Sequence, residues 1–279
     1  MRFKIIADSS CDLDKDYLKD TGVEFGIAPL TINLNGEEFV DDEKLNIEHL
    51  LETSNSSTGK GTTACPSCGN YLNQMQGADY YFVVTITSKL SGSYNSAITA
   101  RSMHSNPENV FVIDSRSVSG SMVIIIDKLV ELIKEGKSYS EICSIISEYK
   151  VQNVGLYFVL NKFDNLVKNG RMSPTKAKFA SALAIKPICE AKEGEIQLSK
   201  KTIGFSGAMK TLVEELCKKV KNGLGKQCVI SHCLNSKIAQ KLKNAIKEKL
   251  PSFKVRMIHT KGLCSYYALE KGILVGYEY

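Results

Sequence analysis

Several absences narrow what this chain can do before any motif is read. No apolar run approaches the roughly 18 residues that span a bilayer. The apolar stretch Met122 to Ile126 ends at Asp127 and Lys128. No signal-peptide pattern stands at the start, where Met1-Arg2-Phe3-Lys4 runs straight into a strand-like segment. The nine cysteines are scattered and odd in number, so reduced thiols in a cytoplasm are expected. Histidine is scarce, with four in 279 residues. His49 lies in a polar helical stretch and His104 in a polar turn. His232 and His259 each follow a strand-like run, and neither has an adjacent carboxylate to orient a triad.

Nucleotide and metal signatures are equally incomplete. Gly59-Lys60-Gly61-Thr62 lacks the earlier glycine of a phosphate loop and has Gly61 where a hydroxyl residue should follow the lysine. There is no G-x-S-x-G elbow, and no dinucleotide fingerprint follows the first strand. Cys65 and Cys68 form a lone C-x-x-C, and the nearest second cluster, Cys228, His232 and Cys233, is poorly spaced for zinc. The net charge of +6 comes from 36 basic and 30 acidic residues. Without a basic stripe interleaved with aromatics it does not suggest nucleic acid. It favours acidic partners or transient contact with an anionic membrane surface.

What is present is alternation of strand and helix. Phe3–Ala7, Ile27–Leu34, Tyr81–Ile86 and Val110–Ile113 read as strands, with Asn35-Gly36 as a turn and Thr53–Thr63 as a polar loop. A helix begins at Ile47. Met122–Lys134 is helical and apolar nearly all round, which predicts deep packing. Gly136 caps it, and Ser138 with Glu141 has capping-box spacing for the next helix. Beyond residue 150 the texture changes. Val154–Leu160 is a strand, Lys186–Leu198 a hairpin turning at Lys192-Glu193-Gly194, and Cys228–Ser231, Lys254–Ile258 and Ile273–Tyr277 are further strands. Helical faces are carried by Met209 to Val220 and by Ile238 to Ile246. The expected fold class is α/β in two domains. Residues 1–150 form a mainly parallel sheet with helices on both faces, and residues 151–279 form a second, mixed α/β domain.

The most informative segment is Ser88-Lys89-Leu90-Ser91-Gly92-Ser93-Tyr94-Asn95. It lies between an apolar strand and a helix. A helix N-terminus offers unpaired N–H groups and partial positive charge, so Ser91, Gly92 and Ser93 suit an anion such as a carboxylate or phosphate. The same residues also suit plain capping. Asp8, at the carboxyl end of the first strand, is a candidate for the site wall, while Asp12 suits a cap.

Taken together, these segments resemble the DegV family of bacterial fatty-acid-binding proteins. Ile6 to Leu13 is similar to its Asp-Ser-Thr-Ala-Asp-Leu opening, Thr63 to Ser67 to Thr-Ser-Gln-Pro-Ser, and Ser88 to Ala97 to Ser-Lys-Leu-Ser-Gly-Thr-Tyr-Gln-Ser-Ala. Val112 to Ser115 with Ser119 and Gly120, Leu166 to Met172, and Ile185 to Ile188 match later motifs in family order. The resemblance implies a two-domain DegV-like fold with an apolar tunnel for one long-chain fatty acid. Its carboxylate would be held by Thr63 and Ser91, with Gly92, Ser93, Asp8, Ser119 and His259 around the head group. It implies a carrier rather than an enzyme, with no cofactor besides the bound fatty acid, and a separate fatty acid kinase as partner. Arg171 would steer an anionic group or close its own turn by a salt bridge. The family's Lys-x-Arg-Gly is Lys201-Thr202-Ile203-Gly204 here, and its His-Thr-Gly-Pro-Gly is His259-Thr260-Lys261-Gly262-Leu263. Two other readings are a serine-dependent hydrolase or transferase, with Ser91 as nucleophile and His259 or His232 as base, and a binder of a branched or hydroxylated carboxylate.

Overall fold

The structure is a computed structural model and describes residues 1–57, 59–175, 184–220 and 223–279. Four parallel strands form the first sheet: β1 (Phe3–Asp8), β2 (Glu24–Ala28), β6 (Tyr80–Thr85) and β7 (Val110–Asp114), in the order β2-β1-β6-β7. A second sheet of six strands is mixed. It comprises β8 (Val154–Val159), β9 (Ile188–Lys192), β10 (Glu195–Lys200), β11 (Gln227–His232), β12 (Lys254–His259) and β13 (Ile273–Glu278), ordered β10-β9-β8-β13-β11-β12. Only β11 and β12 run parallel there. The α/β fold with a parallel sheet and a mixed one is therefore as expected.

A third, antiparallel sheet was not expected. It joins β3 (Thr31–Leu34), β4 (Glu37–Val40) and β5 (Thr62–Ala64). The apolar run Ile27–Leu34, read as one strand, is two strands in different sheets. They part around Pro29, which has no N–H to continue a ladder. The Asn35-Gly36 turn is as read, both residues having positive φ as a tight hairpin requires. Part of the expected Thr53–Thr63 loop belongs instead to helix α1 (Ile47–Ser56) and to β5; residue 58 lies outside the described residues.

Helices α2 (Cys68–Gln74) and α3 (Ser93–Met103) cover one face of the parallel sheet. The other face carries α4 (Gly120–Lys134) and α5 (Tyr139–Gln152), the latter started by a complete capping box between Ser138 and Glu141. Helix α4 explains its own composition. It lies between both large sheets, against β1 and β6 on one side and β8, β11 and β13 on the other. Met122, Val123, Ile124, Ile125 and Ile126 are all fully buried. Close approach to the mixed sheet needs glycine, since a Cβ on Gly276 would stand 2.3 Å from the Gly120 carbonyl carbon. Past α6 (Asp164–Lys168), helices α7 (Gly204–Lys219) and α8 (Ser236–Lys249) cover the far face of the mixed sheet. The short α9 (Gly262–Ala268) crosses back to pack on α1 and β3. No described helix is long and apolar enough to cross a membrane.

Candidate functional site

The carboxyl ends of the parallel strands are where open α/β sheets bind ligands. The loops following β6 and β7 meet β5, β8, the β9–β10 hairpin and α9 around one cavity of about 330 Å³, within the size range of small-molecule sites. Most of its wall is aliphatic or aromatic. Leu156, Phe158 and Leu160 come from β8 and its end, Leu90 and Val118 from the loops, and Leu274 from β13.

Several polar groups of the wall are tied into the protein. Thr63 Oγ1 lies 2.9 Å from the Tyr267 hydroxyl. Ser91 Oγ accepts the Ser93 N–H at 3.2 Å, at the start of α3. Next to it, a Cβ on Gly92 would stand 3.2 Å from Cys65 Sγ, so that thiol and the turn are in contact. Arg171 Nε donates to the Leu90 carbonyl at 3.1 Å, and another guanidinium nitrogen donates to the Asn169 carbonyl. The arginine thus stitches the Ser88–Gly92 turn to the turn at 166–172. It closes its turn through carbonyl oxygens, and among the described residues it forms no salt bridge of the kind considered above. Burial raises the Tyr267 pKa, so its hydroxyl stays a proton-bearing, neutral donor.

Of the expected site residues, Thr63, Ser91, Gly92 and Arg171 line the cavity. Asp8, Ser93, Ser119 and His259 do not, and each has a physical reason. Ser93 begins α3, and its hydroxyl turns inward to donate to Asp8 Oδ2 at 2.6 Å, with Tyr71 also 2.6 Å away. Asp8 is fully buried and accepts the Ile86 N–H at 2.8 Å as well as the Ser10 N–H and hydroxyl. Desolvation raises its pKa against those hydrogen bonds. It positions the loop that carries Ser91. Ser119 is buried with positive φ, bonded to Asp12 and, at 2.7 Å, to Ser231 of the other sheet. His259 is exposed and meets His232 edge-on at 4.4 Å, the two facing each other in register across β11 and β12. Burial, and then His259, lower the His232 pKa. Neither histidine reaches the cavity wall, so the arrangement of Ser91 with a histidine base is not assembled.

Tyr267 and Ser117 are among the wall residues that the sequence reading does not single out. Tyr267 lies in α9, whose N-terminus is capped from a distance by Asp41, which accepts the Gly262 and Leu263 N–H groups at 2.6 and 2.9 Å. Ser117 follows β7; its place after a strand's carboxyl end was the available signal.

Known proteins resemble the chain over its whole length. The family described as "Uncharacterised protein, DegV family" matches residues 2–273. A DegV domain-containing protein of Streptococcus gordonii is 40% identical over 285 residues, covering 100% of this chain and 99% of that protein. Among solved structures, the Streptococcus pneumoniae Fatty Acid Kinase (Fak) B3 protein loaded with linoleic acid superposes with a TM-score of 0.92 at 37% identity, covering 100% of this chain and 99% of that one. A DegV family protein from Eubacterium eligens loaded with heptadecanoic acid gives 0.91 at 35% identity, with 99% of each chain covered. With motifs, architecture and whole-length similarity in agreement, the chain belongs to the DegV family.

Proposed function

We propose that this protein binds one long-chain fatty acid in the cavity, holds its carboxylate with Thr63 and Ser91, and presents it to a separate fatty acid kinase. The observation that carries the reading is the cavity wall itself, aliphatic over most of its area with hydroxyls of Thr63, Ser91 and Tyr267 among it. Each buried methylene contributes about 0.8 kcal/mol, so the tail supplies most of the affinity. A carboxylate cannot enter such a wall unpaired without large cost, and hydroxyls together with N–H groups at the start of α3 can meet it. Neutral donors leave a carboxylate oxygen nucleophilic enough to receive a phosphoryl group. The kinase is proposed as a separate protein because a similar structure is named a Fatty Acid Kinase (Fak) B3 protein and carries linoleic acid, while this chain has no complete phosphate loop. A division near residue 150 is part of the same reading, with α9 docked back on the first domain. Native mass spectrometry of protein purified from a bacterial host tests the binding step. A co-purified fatty acid is expected, and protein that is empty and takes up no added fatty acid overturns the proposal. Supplying the host's fatty acid kinase with ATP tests presentation.

A further inference from the structure

Tyr267 and Thr63 meet in the cavity wall, and each is held from a different part of the chain. Thr63 sits on β5, whose ladder to β3 pairs it with Ile32. Tyr267 sits on α9, and the N–H groups that open this helix are met by buried carboxylates. Asp12 accepts the Lys261 N–H at 2.7 Å, and Asp41 accepts those of Gly262 and Leu263. The Tyr267 ring packs edge-on against Tyr266 at 5.0 Å. The Thr63 and Tyr267 hydroxyl oxygens, 2.9 Å apart, share one hydrogen bond, and their geometry admits either as its donor. A carboxylate ligand removes that freedom. A threonine hydroxyl has a single proton, and a carboxylate only accepts. If Thr63 donates to Tyr267, it shows the ligand lone pairs and repels a carboxylate. If Tyr267 donates to Thr63, the Thr63 proton is free to point at the ligand. A phenol is the more acidic of the two hydroxyls, and two hydrogen bonds running in the same sense polarise one another. Both effects favour the second arrangement.

We propose that Tyr267 is a positioning residue of this site: its phenol donates to Thr63 Oγ1 and turns the Thr63 proton toward the ligand, which selects an anionic head group over an alcohol of the same chain length. The inference rests on the fatty-acid reading above, in which Thr63 holds the carboxylate, and adds the residue that orients Thr63. A primary alcohol both donates and accepts, so it pairs with Thr63 in either sense and is indifferent to Tyr267. A carboxylate is not. Its affinity and its acidity both depend on a donor kept in place, because a hydrogen bond to the charged form lowers a carboxyl pKa.

The test is a double-mutant cycle of Tyr267→Phe and Thr63→Val, both close in shape to the residues they replace, with dissociation constants measured for stearic acid and octadecanol. Tyr267→Phe should weaken stearic acid binding about fivefold and octadecanol binding by less than about twofold. The octadecanol result also checks that the cavity of this variant is intact. Thr63→Val should weaken stearic acid binding more, and the double variant should bind it as Thr63→Val does, since Tyr267 acts only through Thr63. Stearic acid isotope-labelled at its carboxyl carbon, bound and followed by NMR as the pH is varied, should titrate about 0.5–1 pH unit higher in Tyr267→Phe than in the wild type. Arg171, Glu195, Cys65 and Cys264 also line the cavity and are common to both proteins. A merely structural role for Tyr267 would weaken the acid and the alcohol alike and leave the carboxyl pKa in place. That result, or additive losses in the cycle, or a Tyr267→Phe loss equal to that of the double variant, overturns the inference while the fatty-acid reading stands. If the wild type binds no stearic acid, the fatty-acid reading itself has failed, and the inference with it.

Discussion

Thr63, Ser91 and Tyr267 stand half-buried in the cavity wall, whereas Asp8, Asp12 and Asp41 lie behind it, each at most 3% exposed and each accepting hydrogen bonds from the protein. Both groups are polar, and Asp8, Asp12, Thr63 and Ser91 all belong to segments that carry the family's motifs. Their energetics differ. A carboxylate enclosed by donors is already satisfied and serves as a joint. Asp8 ties β1 to the β6–α3 loop, and Asp12 and Asp41 hold the N-terminal end of α9, itself part of the cavity wall. A hydroxyl in an apolar wall still has capacity for a ligand. Asp8, Ser93 and Ser119 therefore support the cavity wall from behind, and Thr63 and Ser91 are the hydroxyls that the proposed function assigns to the ligand.

The comparison breaks most visibly at Asp8. Asp8→Ala would leave the Ile86 N–H an unmet buried donor and take the carboxylate acceptor from the Ser10 and Ser93 hydroxyls, each loss costing about 1–3 kcal/mol. A loss of about 4 kcal/mol in urea-unfolding free energy is expected. A variant as stable as the wild type would mean that the joint is not one.

Asp12 offers a pH test of the same idea. Burial, the largest influence, pushes its pKa up to about 7 from an ordinary 3.8. The folded protein therefore binds more protons than the unfolded chain between about pH 4 and pH 7. Stability from this group is complete below about pH 4 and is lost as the pH rises through about 7, on the order of 4 kcal/mol in all. Asp12→Asn should keep the geometry. Its oxygen can accept the Lys261 N–H, its amide can donate to Ser119 Oγ while that hydroxyl turns to Ser231, and Asn tolerates the positive φ found here. Urea midpoints measured from pH 4 to 8 should fall less steeply for the variant. His232, whose depressed pKa acts in the opposite sense, is common to both proteins and drops out of the difference. Equal slopes would show that Asp12 ionises alike when folded and unfolded.

On the cavity side, Thr63→Ala and Ser91→Ala should leave the fold intact and each weaken fatty-acid binding by about 1.5–3 kcal/mol, the worth of one hydrogen bond to a charged group. The tail would still bind. Titration calorimetry that finds both affinities unchanged would place the carboxylate elsewhere.

The same division between building and touching decides what could be read from the sequence. Helix α4 was legible because a helix between two sheets must be apolar all round, and Met122 to Ile126 is. The hairpin of β9 and β10 was legible from Glu193-Gly194, both with positive φ. Strand β5 was not, because Thr62 and Thr63 show no apolar alternation and become a strand only by pairing with Asn33 and Ile32. Helix α9 was not, because its cap is Asp41, remote in sequence, in place of a residue just before it. Tyr267 was lost with that helix. Ser91, Gly92 and Thr63 could be found because family motifs and helix-start chemistry mark them. Neither signal says which way a hydroxyl points, and so Ser93 and Ser119 were grouped with them.

The smallest effect is expected at a position in neither region. Ile203 stands at the N-cap of α7, 79% exposed, where the family's motif has arginine. It does not line the cavity and does not touch the buried carboxylates, so Ile203→Arg should leave lipid affinity unchanged. A cation at a helix N-terminus opposes the helix dipole, which sets the stability cost at about 0.5 kcal/mol. An added exposed charge instead acts on encounter with an oppositely charged partner, where it changes association rate more than affinity within the complex. With lipid-loaded protein, ATP and the host's fatty acid kinase, the rate of phosphorylation at low protein concentration should rise and its salt dependence should steepen. A changed lipid affinity would put Ile203 in the lipid site, and an unchanged rate would mean that the kinase approaches by another face.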